Sequence, residues 1–485
     1  MLTENEIINF ISEDKASEKK RKANVGLRYY EGKHDILNYR LYYYNAEGEL
    51  VEDETRSNIK IPHPFFTELV DQQVQYLMSG GGYFVKSDNP ELQDELNSYF
   101  NENESFISEL YETLTGTVSK GFDYMYAYKT SDGQITFMNA DSMGVVECDK
   151  KYTSDGKDYV IYYYLDRVDI NRRKITRIQV WDDAQTYFYI REDDGRLIPD
   201  PYQEINPRPH VLYKKDDSDD LYYETLGFIP FFRLDNNKKQ ITGLDSVKDL
   251  IDDYDLMSCG LSNNLQDASE YLVVVRGFQG DNLEELIKNV KTKKHIGVDG
   301  DGGGDVDFKT VDIPYQARKL KLDLDSENIY HFGFGLNLAS IKDTAATTNI
   351  AIKSAYGLLD MKCRKFEVQL KKFLRKLLDI VLDEINFKLK TDYQQRDVYF
   401  DFRYEVPTNA QENAQIKLIE AQTKQAEINT MLGLSDRIDD ETIIQNICET
   451  LDINYEDIRS RLPENETAKA AKTLEGLLPE GDLIE

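Results

Sequence analysis

The sequence predicts a mixed α+β fold, and three observations predict it. Apolar residues recur at helical spacing through most of the first 120 positions. The period then changes to short Tyr-, Ile- and Val-rich runs, separated by Ser-Asp-Gly or Asp-Asp-Gly turns, up to about Phe232. Helical spacing returns at about Gly243 and dominates the remainder, interrupted by a small strand-containing insert.

In chain order, Thr3-Glu4-Asn5-Glu6 reads as a capping box that opens a helix through Ile7, Ile8 and Ile11. A second helix carries Lys19 to Lys22 and ends near Gly32. Pro62 and Pro64 precede a helical run from Phe65 to Leu77 that Gly80-Gly81-Gly82 stops. Pro90 starts one further helical region carrying Leu92, Leu96, Phe100, Phe106, Leu110 and Leu114. From Phe122 a β-meander is expected, with turns at Ser131-Asp132-Gly133, Ser154-Asp155-Gly156 and Asp193-Asp194-Gly195. A helix follows from Gly243 through Leu265. The insert then reads as a strand at Tyr271 to Val275, a short helix at Asn282 to Val290, a strand at His295 to Val298, a glycine loop at 300–304 and a strand at Val306 to Val311. A helix is expected from Tyr315 to about Phe332, and residues 336–348 carry no regular period. A long helix runs from about Asn349 to Lys390, its apolar face including Ile352, Leu359, Met361, Phe366, Leu370, Phe373 and Leu377. Val398 to Tyr404 reads as a strand, and 410–432, 440–451 and 455–462 as helices before a polar tail.

Composition narrows the function classes. The 485 residues are enough for several domains. The formal net charge is -30, so a tight duplex binder over its whole surface is not expected; simple solubility is the plain alternative. The chain holds 33 Tyr and 21 Phe against one Trp. Tyrosine suits surfaces that are covered on assembly but are not oily, and it equally suits a β-domain. Cys148, Cys259, Cys363 and Cys448 are far apart, with no C-x-x-C pair, so neither a disulfide framework nor a zinc site is indicated and a reducing compartment fits. Met1 to Lys22 is polar and no stretch approaches 18 apolar residues, so neither a signal peptide nor a membrane span is expected.

Enzymatic signatures are missing. No G-x-x-x-x-G-K-[ST] occurs, and the aspartates around Gly300 to Gly304 would repel phosphate. The run Asp299-Gly300-Asp301 only partly resembles a calcium loop. The five histidines show no H-x-x-x-H pair, and no G-x-S-x-G elbow occurs. No catalytic residue, metal or cofactor is expected.

The order helix, strand-containing insert, helix, loop, long helix resembles the portal proteins of tailed double-stranded-DNA bacteriophages, long-tailed siphophage type. Several stretches carry the likeness: Tyr29-Tyr30-Glu31-Gly32-Lys33-His34-Asp35-Ile36, Phe65-Phe66-Thr67-Glu68-Leu69-Val70-Asp71-Gln72, Ser119-Lys120-Gly121-Phe122-Asp123-Tyr124, Asn328-Ile329-Tyr330-His331-Phe332-Gly333 and Tyr356-Gly357-Leu358-Leu359-Asp360-Met361-Lys362. Together they cover residues 25 to 430 or so. Thr347-Thr348-Asn349 departs from the small pair often found there in the family, which leaves the loop boundary open.

The resemblance implies a portal fold. Residues 1–240 would be a wing of N-terminal helices and β-meander, 241–270 a first stem helix, 271–314 a small α/β clip and 315–335 a second stem helix. Residues 336–349 would be a tunnel loop, 350–407 a long wing helix and strand, and 408–485 a helical crown and tail. It implies a homo-oligomeric ring of about twelve subunits at the capsid portal vertex of the virion, assembled in the host cytoplasm. Implied partners are double-stranded viral DNA, the terminase packaging motor, head-completion or adaptor proteins, and capsid and scaffolding proteins, with no membrane. Twelve helices about 10 Å across enclose an opening of roughly 28 Å, a little wider than a duplex. On this reading Asn337, Ser340, Lys342, Asp343 and Thr344 belong to the tunnel loop, Arg318, Lys319, Lys321 and Asp325 line the stem, and Lys288, Lys291, Lys293 and Lys294 serve docking on the clip. Gly333 and Gly335 would let the backbone flex beside the loop, or would only stop the helix. The alternatives are another phage capsid or tail structural protein, or a metal-dependent nuclease using clustered carboxylates.

Overall fold

A computed structural model describes residues 1–45, 47–53, 56–130, 133–168, 174–191, 195–214, 221–267, 272–276, 305–309, 314–337, 349–406, 410–433, 438, 440–451 and 455. Ten α-helices and a set of antiparallel sheets are present among them. The helix, strand and loop expected at 282–304 lie outside the described residues, as do residues 338–348 and all but the first residue of the helix expected at 455–462.

The N-terminal capping box forms: the Thr3 hydroxyl accepts from the Glu6 N–H, and the Glu6 carboxylate accepts from the Thr3 N–H at 2.8 Å. It opens α1 (Glu4–Ala16), followed by α2 (Glu18–Tyr30). A small hairpin, β1 (Tyr42–Tyr44) and β2 (Leu50–Glu52), was not legible in the sequence. α3 spans Phe65–Leu77. The single helical region expected from Pro90 is two helices, α4 (Pro90–Leu96) and α5 (Glu104–Lys120), separated by a π turn at 97–101. Asn103 decides this break, because its side chain accepts the Phe106 N–H at 3.0 Å and caps a new helix start.

The region expected to be one meander divides into several sheets. β4 (Phe122–Lys129) and β5 (Ile135–Ala140) form a hairpin, and β14 (Phe231–Asp235) returns to the free edge of β4. A larger sheet has the order β10-β9-β8-β7-β6, built from β6 (Val145–Cys148), β7 (Tyr159–Val168), β8 (Lys174–Trp181), β9 (Gln185–Arg191) and β10 (Leu197–Pro199), with β11 (Arg208–Pro209) also on β9. β12 (Val211–Lys214) and β13 (Leu221–Glu224) pair separately. Gly133, Gly156 and Gly195 all take positive φ between antiparallel neighbours, as the turn signals required.

α6 (Lys248–Asp267) begins later than its apolar period suggested. β15 (Leu272–Arg276) and β16 (Asp305–Lys309) pair antiparallel, and α7 spans Tyr315–Gly333. The long helix is α8 (Asn349–Leu389). The strand expected to 404 is shorter: β17 covers Val398–Phe400 and pairs with β3 (Val85–Ser87).

The chain divides into two compact units, residues 1–344 with 353–406, and 345–352 with 407–485. In the second, α9 (Ala410–Leu432) and α10 (Asp440–Thr450) pack together. The first holds one large core, in which α3, α5 and α8 meet β4, β5 and β14. Leu359, Phe366, Leu370, Phe373 and Leu377 of α8 are buried there, but Met361 points outward. Helical phase explains this: Met361 sits two positions from Leu359 and so about 200° around the axis. A second core lies under α1, where Ile7 and Ile11 pack on β6 to β10.

Candidate functional site

α6 and α7 form an antiparallel helix pair held by a long-range ion pair, Lys321 Nζ to Asp253 at 2.5 Å. Arg318 lies across Gly260, where a Cβ would stand 2.8 Å from the guanidinium.

A third element completes the pair. Residues 57–63 run extended along α6 in the opposite direction. The Ser57, Ile59, Ile61 and His63 N–H groups donate to Asp267 (3.2 Å), Asn263 (2.6 Å), Cys259 Sγ (3.2 Å) and Asp255 (2.9 Å). Two extended residues advance about 6.6 Å and four helical residues about 6.0 Å, so alternate strap amides stay in step with every fourth helix side chain. Pro62 and Pro64 fall on the positions that donate nothing in this register. The sequence showed these prolines only as a prelude to α3; the strap's polar partners lie about 200 residues away.

The base of the pair is moored to the large core. Asp255 is fully buried and accepts from His34 Nδ1 and His63 Nδ1, both at 2.7 Å. His34 is also fully buried; its other ring nitrogen faces the Tyr29 carbonyl at 3.3 Å, and its ring stacks on Tyr29. Burial alone would raise the Asp255 pKa, but the hydrogen bonds from His34 and His63 outweigh it and hold the carboxyl below its usual range. Phe65 sits edge-on between Tyr254 of α6 and Tyr330 of α7. The Tyr330 hydroxyl donates to Glu68 at 2.6 Å. Spacing could not reveal the His34–Asp255–His63 cluster, since its members come from three distant segments.

The exit of α7 is equally constrained. Phe334 takes the left-handed cap position (φ 56°), and the Gly335 N–H donates to the Tyr330 carbonyl at 2.8 Å. Gly333 and Gly335 are buried, and an added Cβ would meet Leu69 at 2.6 and 2.1 Å respectively. Their role is close packing in a helix stop rather than flexing. Gln72 then holds Leu336 from both sides, its carbonyl accepting the Leu336 N–H at 2.8 Å and its amide donating to the Leu336 carbonyl at 2.9 Å. Lys362 of α8 donates to the Gly333 carbonyl at 2.9 Å, and burial pushes its amine down to about 8.

The expected stem-lining residues separate into two groups. Lys319 is exposed and Arg318 half-buried. Lys321 is engaged by Asp253 and Asp325, which raise its pKa. Asp325 is 2% exposed, so in the protomer it positions Lys321 and does not present a carboxylate to solvent. Helical phase is the reason: Asp325 lies one turn from Lys321 and from Ile329, which is buried. Asp323 and Glu327 are the exposed acids of this helix. Asn337 is half-buried beyond the Leu336 clamp. Ser340, Lys342, Asp343 and Thr344, and Lys288, Lys291, Lys293 and Lys294, lie outside the described residues.

Among the described residues no group of His, Cys, Asp or Glu is arranged to hold a metal ion. The four cysteines are free and buried. No described helix is long and apolar enough to cross a membrane. The arrangement is a braced helical wall with mixed surface charge.

Residues 9–457 match the family described as phage portal protein, SPP1 Gp6-like. The portal protein of Bacillus phage SPP1 is 26% identical over 352 residues, covering 72% of this chain and 67% of that protein. The portal protein of Clostridium phage phiCD119 is 24% identical over 388 residues, covering 74% of this chain and 81% of that protein. Among solved structures, a chain from the neck of a native GTA particle has a TM-score of 0.36 at 12% identity, with 74% of this chain and 86% of that chain covered.

Proposed function

The chain belongs to the phage portal protein family, SPP1 Gp6-like, and on that premise we propose that α6 and α7 are the repeating wall of a ring-shaped DNA channel. Through this channel viral DNA enters the capsid during packaging and leaves it at ejection. The observation that carries the assignment of the wall is the bracing of one helix pair by the strap, the Asp255 cluster and the Leu336 clamp. DNA translocation loads a channel wall, and a wall built from two helices needs fixed attachment at one end.

The chemistry suits sliding. Among the described residues, the exposed charges of α7 include Lys319 against Asp323 and Glu327, while Arg318 is half-buried and Lys321 is engaged by Asp253 and Asp325. Phosphate grip scales with the number of cations that displace condensed counterions. A wall whose exposed acids outnumber its exposed cations, on a chain of net charge -30, holds a duplex only weakly. Residues 271–314, between α6 and α7, form the docking platform for the packaging motor and head-completion proteins. Residues 336–349 form a loop at the constriction that retains packaged DNA. The remaining helices and sheets of the first unit form the wing, and residues 408–485 the crown.

Electron microscopy and mass measurement of the purified protein test the assembly. A ring with a central hole, of mass a multiple of 56.2 kDa with about twelve copies, is expected; monomers alone under all ionic conditions would overturn it. For the wall, Asp323→Lys with Glu327→Lys should slow DNA packaging more than it disturbs ring formation. Unchanged packaging by intact variant rings would remove α7 from the channel. Substitution of Asn337, Lys342 and Asp343 should impair DNA retention.

A further inference from the structure

The clefts on the two flanks of α1 carry opposite charge. Ile7 and Ile11 bury the middle of the helix against the large sheet. On one flank Glu13 and Asp14 face Glu147 and Asp149, with Tyr152 at the rim. On the other flank two adjoining hollows share Lys15 and Tyr163 and gather Arg21, Lys174 and Arg191. The helical period produces this division: Glu13 and Lys15 stand about 200° apart, on either side of the buried stripe. The Asp14–Lys20 ion pair, 2.9 Å long, joins the two clefts.

Ion pairs within the protomer neutralise each side only in part: Asp14 meets Lys20, Glu147 meets Arg233, and Asp149 stands 3.9 Å from Lys151. Lys15, Arg21 and Arg191 have no ion-pair partner among the described residues, nor has Glu13. Lys15 lies over the Tyr163 ring at 4.7 Å. Burial, and then repulsion from Arg191, lower its pKa, against the attraction of Asp14. Three such cations, Lys15, Arg21 and Arg191, around one tyrosine are conspicuous in a chain with 89 acidic and 59 basic side chains. A subunit in a closed ring meets its neighbours through two different surfaces that must complement each other. A ring built with these two flanks in contact needs no further component to neutralise them.

Resting on the portal-ring reading, we propose that the basic flank of α1 in one subunit docks against the acidic flank of α1 in the next copy of the chain. The contact is heterologous and electrostatic, so it directs head-to-tail closure of the wing layer and weakens as salt rises.

Charge exchange tests this on the full chain, with ring yield read by mass photometry at about 0.1 M salt. One variant, Asn9→Lys with Glu13→Lys, makes the acidic flank positive; a second, Lys15→Glu with Arg21→Glu, makes the basic flank negative. All four side chains are exposed, and circular dichroism checks folding. Each variant alone should lose ring yield by about tenfold or more, because like charges then face each other. An equimolar mixture should recover it, because alternating subunits restore every contact. One chain carrying all four changes should also assemble, which guards against loss through misfolding.

Rings at wild-type yield from both variants would overturn the contact and leave the ring reading intact. So would defects that neither the mixture nor the four-fold variant repairs. If the wild type forms no ring, the portal-ring reading itself fails. If Lys15→Glu with Arg21→Glu lowers affinity for a labelled DNA duplex and leaves ring yield unchanged, the basic flank is a nucleic-acid surface and the contact is overturned.

Discussion

The two ends of the α6–α7 pair are built on different physics. At the base, Ile251, Asp255 and Ile329 are buried, and two histidines, a three-ring aromatic stack and a glutamine clamp tie both helices to the large core. At the other end the strap still follows α6 through Asn263 and Asp267, but Leu265 and Tyr315 stand in solvent, as does Leu320 on the outward face of α7 at 71% exposure. The inner face of the base is a finished interior, with Phe332 and Phe334 exposed beside it, whereas the described contacts at the tip are mainly the strap's hydrogen bonds. A helix pair of this kind gets its rigidity from one end and offers the other for contact.

The contrast predicts a gradient of mutational cost, readable by urea denaturation. Asp255→Ala should be the most damaging, at about 3–5 kcal/mol, because it leaves buried His34 and the His63 N–H without their acceptor. Gly335→Ala should cost about 1–3 kcal/mol through overpacking on Leu69. Asn263→Ala, at the strap's outer half, should cost about 1 kcal/mol, the net value of an ordinary hydrogen bond. Leu320→Ser should stay within about 0.5 kcal/mol for the isolated protomer. If the Asn263 change costs as much as the Asp255 change, the two ends are not distinct and the gradient is wrong.

Acid sharpens the same comparison. The folded pKa of Asp255 lies below its unfolded value, so its stabilisation is complete well above about pH 4 and is lost as pH falls through the folded value. The wild type should therefore lose stability below about pH 4 more steeply than Asp255→Asn, measured as unfolding midpoint against pH. Parallel curves would show that the cluster does not anchor the base.

Tyrosine use was only half legible. Its abundance in the sequence suggested covered but not oily surface. In the fold many tyrosine hydroxyls are the neutral donors that settle acids: Tyr30 to Asp71, Tyr99 to Glu384 and Tyr330 to Glu68. This partly explains how so acidic a chain packs carboxylates at element junctions without a matching number of cations.

The sequence by itself determined the helices with strong 3.6-residue patterns, the turn glycines, the N-terminal capping box and the order of segments that resembles the portal family. These depend on local spacing, which the chain carries without help from distant residues. Only the tertiary structure decided that β14 returns to β4, that β3 pairs with β17, and that an extended strap matches α6. Each of these depends on a partner between about 100 and 310 positions away, and no local period records which face of an element meets which neighbour. Positions 34, 63 and 255 are unremarkable when read along the chain; folding places them within one hydrogen-bonded cluster.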